Sequence, residues 1–350
     1  MIFFKLPDRT DSGQYRRRMV AILRCLTSLI ALAASSVVAL ENVEIHEWEV
    51  PYGQSRPRDP FAESATSVWF VGQRAGYLAH LDAETNEFSQ VELKTGSGPH
   101  NLIVAADGTV WYAGNRTGLI GRYDPTTEEF EEIMMPDKAA RDPHTLVFDE
   151  RQENIWFTVQ GGNMMGRLNI ESRKVDLIPS RTARSRPYGI KMAPDGSVWV
   201  VLFGTNKLAH INPQTLEFDE IELPRDAARP RRLEVMRDGR IWYVDYAKGM
   251  LGVYDPRTRE FDEWLMPQGE TARPYGMAYD ASGMLWIVAT GVQPNVFVGF
   301  NPDTEEFFGA TPIPSGGGTV RHMHYHEPSG TVWFGTDTNY IGRAIVEPDK

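Results

Sequence analysis

The sequence predicts an all-β fold, a seven-bladed β-propeller with four-stranded blades, on three observations. A Trp in an apolar triplet returns as Trp69, Trp111, Trp156, Trp199, Trp242, Trp286 and Trp333, at intervals of 42, 45, 43, 43, 44 and 47 residues. Each interval carries four short strand-like runs and no helical periodicity, the pattern of one blade. The last unit lacks its fourth run, and a matching run stands at the other end of the chain. There residues 44–53 (EIHEWEVPYG) align without a gap on 260–269 (EFDEWLMPQG). An open ring would leave apolar faces and unpaired edges at both ends, so the N-terminal strand is expected to pair onto blade 7.

Taken in order, residues 1–39 read as a signal peptide and residues 40–350 as a single propeller domain. Arg16, Arg17, Arg18 and Arg24 precede an apolar stretch, 26–39, that is too short to span a bilayer and ends in Val37-Val38-Ala39. Met19 is an alternative start, and the paired arginines match a twin-arginine export signal poorly. The only cysteine, Cys25, falls in this segment, so the mature chain needs no disulfide in an oxidising compartment. These features point to a periplasmic or secreted protein with no membrane attachment once the signal is removed. The whole chain carries −11, and the six Lys/Arg and two Asp/Glu of residues 1–39 leave about −15 on the remainder. That balance disfavours nucleic acid as a partner. A propeller of this length is one closed domain, and a monomer is expected.

Residues 186–224 show how a unit is built. Ile190 and Met192 alternate with polar neighbours, as a strand buried on one face requires, and Asp195-Gly196 suits a tight hairpin turn. Runs at 198–202, 207–211 and 217–223 follow as the second, third and fourth strands. Between the last two stands Asn212-Pro213-Gln214-Thr215, in which Asn caps the turn and Pro presets φ. The same chemistry recurs at Asp124-Pro125, Asp255-Pro256 and Asn301-Pro302.

One end of each first strand is predicted to meet the end of the second at a common rim. The first-strand positions are Phe61, His100, His144, Tyr188, Arg231, Tyr275 and His322. Their partners, four residues after each Trp, are Gln73, Asn115, Gln160, Phe203, Tyr246, Thr290 and Asp337. Such a polar, aromatic and partly basic set suits a ligand site at the channel mouth, the alternative being solvated rim residues. His322 and Asp337 are the candidate catalytic pair, an imidazole oriented by a carboxylate, or else a structural ion pair. His100, His144, Tyr188, Arg231, Tyr275, Asn115 and Gln160 are the candidate substrate-binding residues. His324 and His326 follow His322 at a spacing of about 6–7 Å per step, which suits buried, hydrogen-bonded histidines better than ligands of one ion. Arg186, Arg229 and Arg273 before rim prolines, with Arg232 and Arg321, form a basic collar suited to an anionic small-molecule or oligomeric substrate.

The unit with Pro-His or Pro-Tyr-Gly, Asp-Gly and Trp, followed by Gly-Arg and a Glu-rich strand ending in Leu-Pro or Met-Pro, resembles the streptogramin lyase family, typified by virginiamycin B lyase, over residues 43–346. The resemblance implies a carbon–oxygen lyase that opens a cyclic depsipeptide by elimination, with Mg²⁺. It implies that His322 is the catalytic histidine and that Asp337 stands for one metal-binding carboxylate. Val320 falls on the other carboxylate position, and Tyr275 on a substrate-contacting histidine. The expectation is therefore a secreted lyase acting by β-elimination on an ester or ether. The alternative is a non-catalytic propeller that binds a small anionic ligand or a partner protein. A metal-dependent lactonase-like hydrolase is a third reading, with only Asp337, Asn115, Gln73 and Gln160 as ligands.

Overall fold

The structure, a computed structural model, describes residues 42–347 apart from 54, 94, 95 and 97. The predicted signal segment and its 39/40 boundary lie outside the described residues. Seven four-stranded antiparallel sheets follow one another along the chain. Their inner strands are Pro57–Ala62, Pro99–Val104, Pro143–Phe148, Pro187–Met192, Pro230–Val235, Pro274–Tyr279 and Met323–His326, for blades 1 to 7 in order. Each inner strand contacts the next, and those of blades 7 and 1 also meet. The ring is closed as the sequence predicts: Glu44–Glu49 pairs antiparallel onto Tyr340–Ile345, from Glu44 opposite Ile345 to Glu49 opposite Tyr340.

Apolar burial explains why the sheets stack around an axis. Each repeated Trp lies in the second strand and packs into the layer between neighbouring blades. Trp242, for instance, joins Met277, Ile287 and Phe300 of the next sheet. The outer turns use the chemistry read from the sequence. Asp124, Asn212, Asp255 and Asn301 each accept the backbone N–H two residues on, at 2.9 Å.

Blades 1 to 6 share a deviation that matters for the centre. The pairing of the first and second strands slips just after the leading Pro, as between Pro99 and Leu102 or Pro230 and Arg232. Such a bulge sets two residues against one and re-aims side chains. Consecutive residues, such as His100 and Asn101 or Arg231 and Arg232, thereby both reach the axis.

Candidate functional site

The pairing registers assign each blade's contribution. Phe61, Ile103, Val147, Lys191, Glu234, Ala278 and His324 face the repeated Trp of their own blades. Three residues earlier stand Arg58, His100, His144, Tyr188, Arg231, Tyr275 and Arg321, one per blade at the end nearest the leading prolines. One step deeper come Asp59, Asn101, Thr145, Gly189, Arg232, Gly276 and His322. Five of the expected rim positions therefore belong to one tier, and two require correction. Phe61 lies three residues deeper, stacked on His324 with ring centres 4.2 Å apart, and Arg58 takes its place. His322 lies one residue deeper, and Arg321 holds the blade-7 position.

These tiers form one network across the axis. Arg58 Nη1 donates to Gln73 Oε1 at 3.1 Å and to His100 Nε2 at 2.8 Å. A guanidinium can only donate, which leaves the His100 proton on Nδ1. The rings of His100 and His144 lie 3.7 Å apart, and that of Tyr188 lies 4.1 Å beyond His144. The Tyr188 and Tyr275 hydroxyls share a short hydrogen bond. Arg231 is caged by aromatic rings, its guanidinium carbon 4.0 Å from the centre of Tyr275, 4.2 Å from Tyr246, 4.4 Å from Phe203 and 5.3 Å from Tyr188. Below them Asp59 accepts from Asn101 Nδ2 at 3.0 Å and lies 3.5 Å from Arg58 and 3.7 Å from Arg232. Arg232 also donates to Thr145 Oγ1 and to the Arg321 carbonyl.

Burial and charge set the protonation states. His100 and His144 are held well below 6.5, first by burial and then by the arginines around them. Burial also holds His322 well below 6.5, although Asp59 opposes it. Burial would raise the Tyr188 hydroxyl, yet Arg231, Arg58 and Arg232 outweigh it and bring it down to about 8. Tyr275 moves up, through burial and its neighbour Tyr188.

The expected His322–Asp337 pair does not form. Asp337 is clasped by both terminal nitrogens of Arg321, with Arg56 Nε a further 3.1 Å contact. Its carboxyl is held below the usual range because those cations outweigh its burial. His322 instead lines a cavity of about 230 Å³ with Lys191, Glu234 and His324. This cavity is bordered by Ala281 and Glu327, beside the hairpin turns at the far end of the inner strands. His324 is likewise lowered by burial, to about 3. His326 bonds Ser329 at 2.7 Å. At the proline end Asn115 Nδ2 donates to the Pro143 carbonyl at 2.9 Å, and Gln160 is half-buried at the same rim position in blade 3.

A magnesium ion needs accessible carboxylate oxygens. The only carboxylate at the expected place, Asp337, is taken by two guanidinium groups, and Val320 is fully buried among apolar side chains. Among the described residues no group of three or more His, Cys, Asp or Glu is arranged to hold a metal. The donor set does not fit magnesium.

Sequence reasoning missed Arg58, Asp59, Asn101 and Thr145. The signal was present: Pro57-Arg58-Asp59 repeats the order of Pro99-His100-Asn101 and Pro143-His144-Thr145.

A closed propeller with a polar, arginine-rich axis is the class of protein that fold and site define. Within that class the chain belongs to the virginiamycin B lyase family, whose model matches residues 33–294. Virginiamycin B lyase from Staphylococcus aureus is similar in structure, with a TM-score of 0.78 at 20% identity over 87% of this chain and 99% of that one. A streptogramin B lyase structure gives 0.77 at 22% identity, over 87% and 98%. A hydrazine synthase chain from Kuenenia stuttgartiensis gives 0.68 at 13% identity, over 85% and 98%. At such identities the likeness shows the shared fold. No curated protein sequence matches the chain.

Proposed function

We propose that the proline-end mouth of the channel recognises the carboxylate of a small anionic molecule. One observation carries this reading: Arg58 Nη2, Arg231 Nε and His100 Nδ1 are buried without a hydrogen-bond partner, and Arg58 Nε and Arg232 Nη2 have only the Asp59 carboxylate, at 3.5 and 3.7 Å. Each buried, unpaired donor costs about 1–3 kcal/mol, and charged ones cost more. An anion on the axis would satisfy several at once, and guanidinium forks match carboxylate geometry. With residues 1–39 read as a signal peptide, the ligand would be met outside the cytoplasm, by a monomer.

The lowered pKa of Tyr188 favours a second reading, carbon–oxygen bond elimination without magnesium. A Tyr188 phenolate would take the proton from the carbon beside the carboxylate. The electron pair left behind would form a C=C bond as the β C–O bond breaks, and the departing oxygen would be protonated by a neighbouring hydroxyl or by water. The arginines would offset the charge that develops on the carboxylate. This differs from the expected chemistry, in which His322 is the base.

Calorimetric titration with a panel of hydroxy- and alkoxy-carboxylates separates these readings. Binding that survives chelation of divalent metal and is lost in Arg231→Ala supports the recognition site, whereas retention of affinity in that variant rules it out. A rising ultraviolet absorbance from an unsaturated product, absent in Tyr188→Phe, establishes the lyase. Binding without any such product leaves a ligand-binding propeller.

A further inference from the structure

The axial site does not account for a second basic feature on the same rim. A pocket of about 430 Å³ between blades 1 and 2 is lined by Arg56, Arg74, Arg116 and Arg141, with Gln73 and Asn115 among them. Among the described residues, Arg74, Arg116 and Arg141 have no salt bridge, in a chain whose net charge is −11. The one carboxylate in the lining, Asp142, already accepts the backbone N–H groups of Gly161 and Gly162. Uncompensated guanidinium groups around a concavity repel one another, and an anion placed between them relieves that repulsion. Arg116 is also positioned: its side chain packs against Gly98, where an added Cβ would come within 3.0 Å of it.

The pocket is joined to the axial site through shared side chains. Gln73 lines the pocket and accepts from Arg58, which belongs to the mouth. Arg56 lines the pocket and contacts Asp337, which Arg321 of the mouth also holds. One elongated ligand can therefore reach both. Guanidinium groups suit carboxylates. The amide halves left unused by the bonds above, Gln73 Nε2 and Asn115 Oδ1, suit hydroxyl groups. Acidic groups repeated along a hydroxyl-rich chain describe an oligosaccharide of uronic-acid units.

We infer that this pocket is a second anion subsite, and that the ligand is a short uronic-acid oligosaccharide with one carboxylate in the axial mouth and another among Arg74, Arg116 and Arg141. The inference rests on the carboxylate reading of the mouth and extends it. Calorimetry on the intact protein with galacturonic acid and its dimer and trimer tests it. The comparison proteins are Arg231→Ala and the triple variant Arg74→Ala, Arg116→Ala, Arg141→Ala. These three side chains are exposed, and an unchanged melting curve checks that the triple variant folds.

Linking two subsites should make the trimer bind at least about tenfold tighter than the monomer. The triple variant should lose that gain and keep its affinity for the monomer, while Arg231→Ala loses the monomer. Equal affinity for monomer and trimer, unchanged in the triple variant, overturns the subsite while the mouth reading stands. Trimer binding that depends on the three arginines but not on Arg231 overturns the mouth and, with it, the single spanning ligand. If tripolyphosphate binds and no uronate does, the sugar assignment is wrong.

Discussion

His100 and His144 show how one side chain's surroundings become a property of the protein. Both are buried among guanidinium groups, with exposures of 5% and 1%, and both are neutral in the folded state. Their folded pKa values lie below the unfolded value of 6.5, so between the two the unfolded chain binds more protons. Stability is therefore fully present above 6.5 and is lost as pH falls below it, at up to about 1.4 kcal/mol per pH unit for each histidine. Urea midpoints should drop between about pH 7 and about pH 5, and less steeply in a His100→Gln, His144→Gln double variant. Parallel pH profiles for the two proteins would contradict this account. The histidines themselves were legible in the sequence, but their neighbours were only partly so. Counting eleven residues back from the repeated Trp reaches His100, Tyr188, Arg231 and Tyr275, whose turns are equally long. In blade 7 a 3-10 turn at Glu327–Ser329 lengthens the hairpin, and Val320 replaces the leading Pro. Both landmarks fail together there, and the count lands on His322 where the register places Arg321. In blade 1, Pro60 offers a false landmark beside the real one, Pro57, and diverts the assignment to Phe61.

Within a blade, the strands are matched by size as well as by polarity. In six blades an aromatic ring lies over a Gly on the neighbouring strand: Tyr77 on Gly72, Tyr112 on Gly121, Phe157 on Gly166, Tyr243 on Gly252, Phe308 on Gly299 and Phe334 on Gly342. A Cβ on Gly121 would stand 2.0 Å from the Tyr112 ring, so Gly there makes room for the ring and the ring covers the bare backbone. Gly121→Ala should cost about 2 kcal/mol through overpacking. Adding Tyr112→Leu should return most of that loss, because the smaller side chain vacates the space. Chemical denaturation of the two single variants and the double variant measures the coupling, and strictly additive losses would refute the pairing. The Gly-Arg dipeptide of the third strand is visible in the sequence, as are the strands and the Asx turns. What the sequence hides is the bulge after each leading Pro, since alternation assigns one residue in two to a face. At the bulge Arg231 and Arg232, or His144 and Thr145, serve the axis together.

At the scale of the molecule, closure depends on one N-terminal strand holding the last blade. Trp48 of that strand stacks on Trp333 with ring centres 5.5 Å apart, and Arg343 lies over both rings. Trp48 Nε1 donates to Asn86 of blade 1 at 2.7 Å, so the same side chain ties the seventh sheet to the first. Glu47 accepts both the N–H and the hydroxyl of Ser315, which follows blade 6. Three blades thus converge on two neighbouring residues, and the axial site needs all seven in place because each gives it at least one side chain. Trp48→Ala removes a half-buried ring and should cost about 2–3 kcal/mol, lowering the melting temperature by roughly 4–8 °C. Removing residues 1–52 should do far more, since Tyr340–Ile345 then becomes an exposed edge that invites pairing between molecules. The truncated chain is expected to associate in light scattering and to lose cooperative melting, and a synthetic peptide of residues 42–53 should restore both behaviours. A truncated chain that stays monomeric and melts where the full protein does would show that the other contacts of blade 7 are enough to hold the ring.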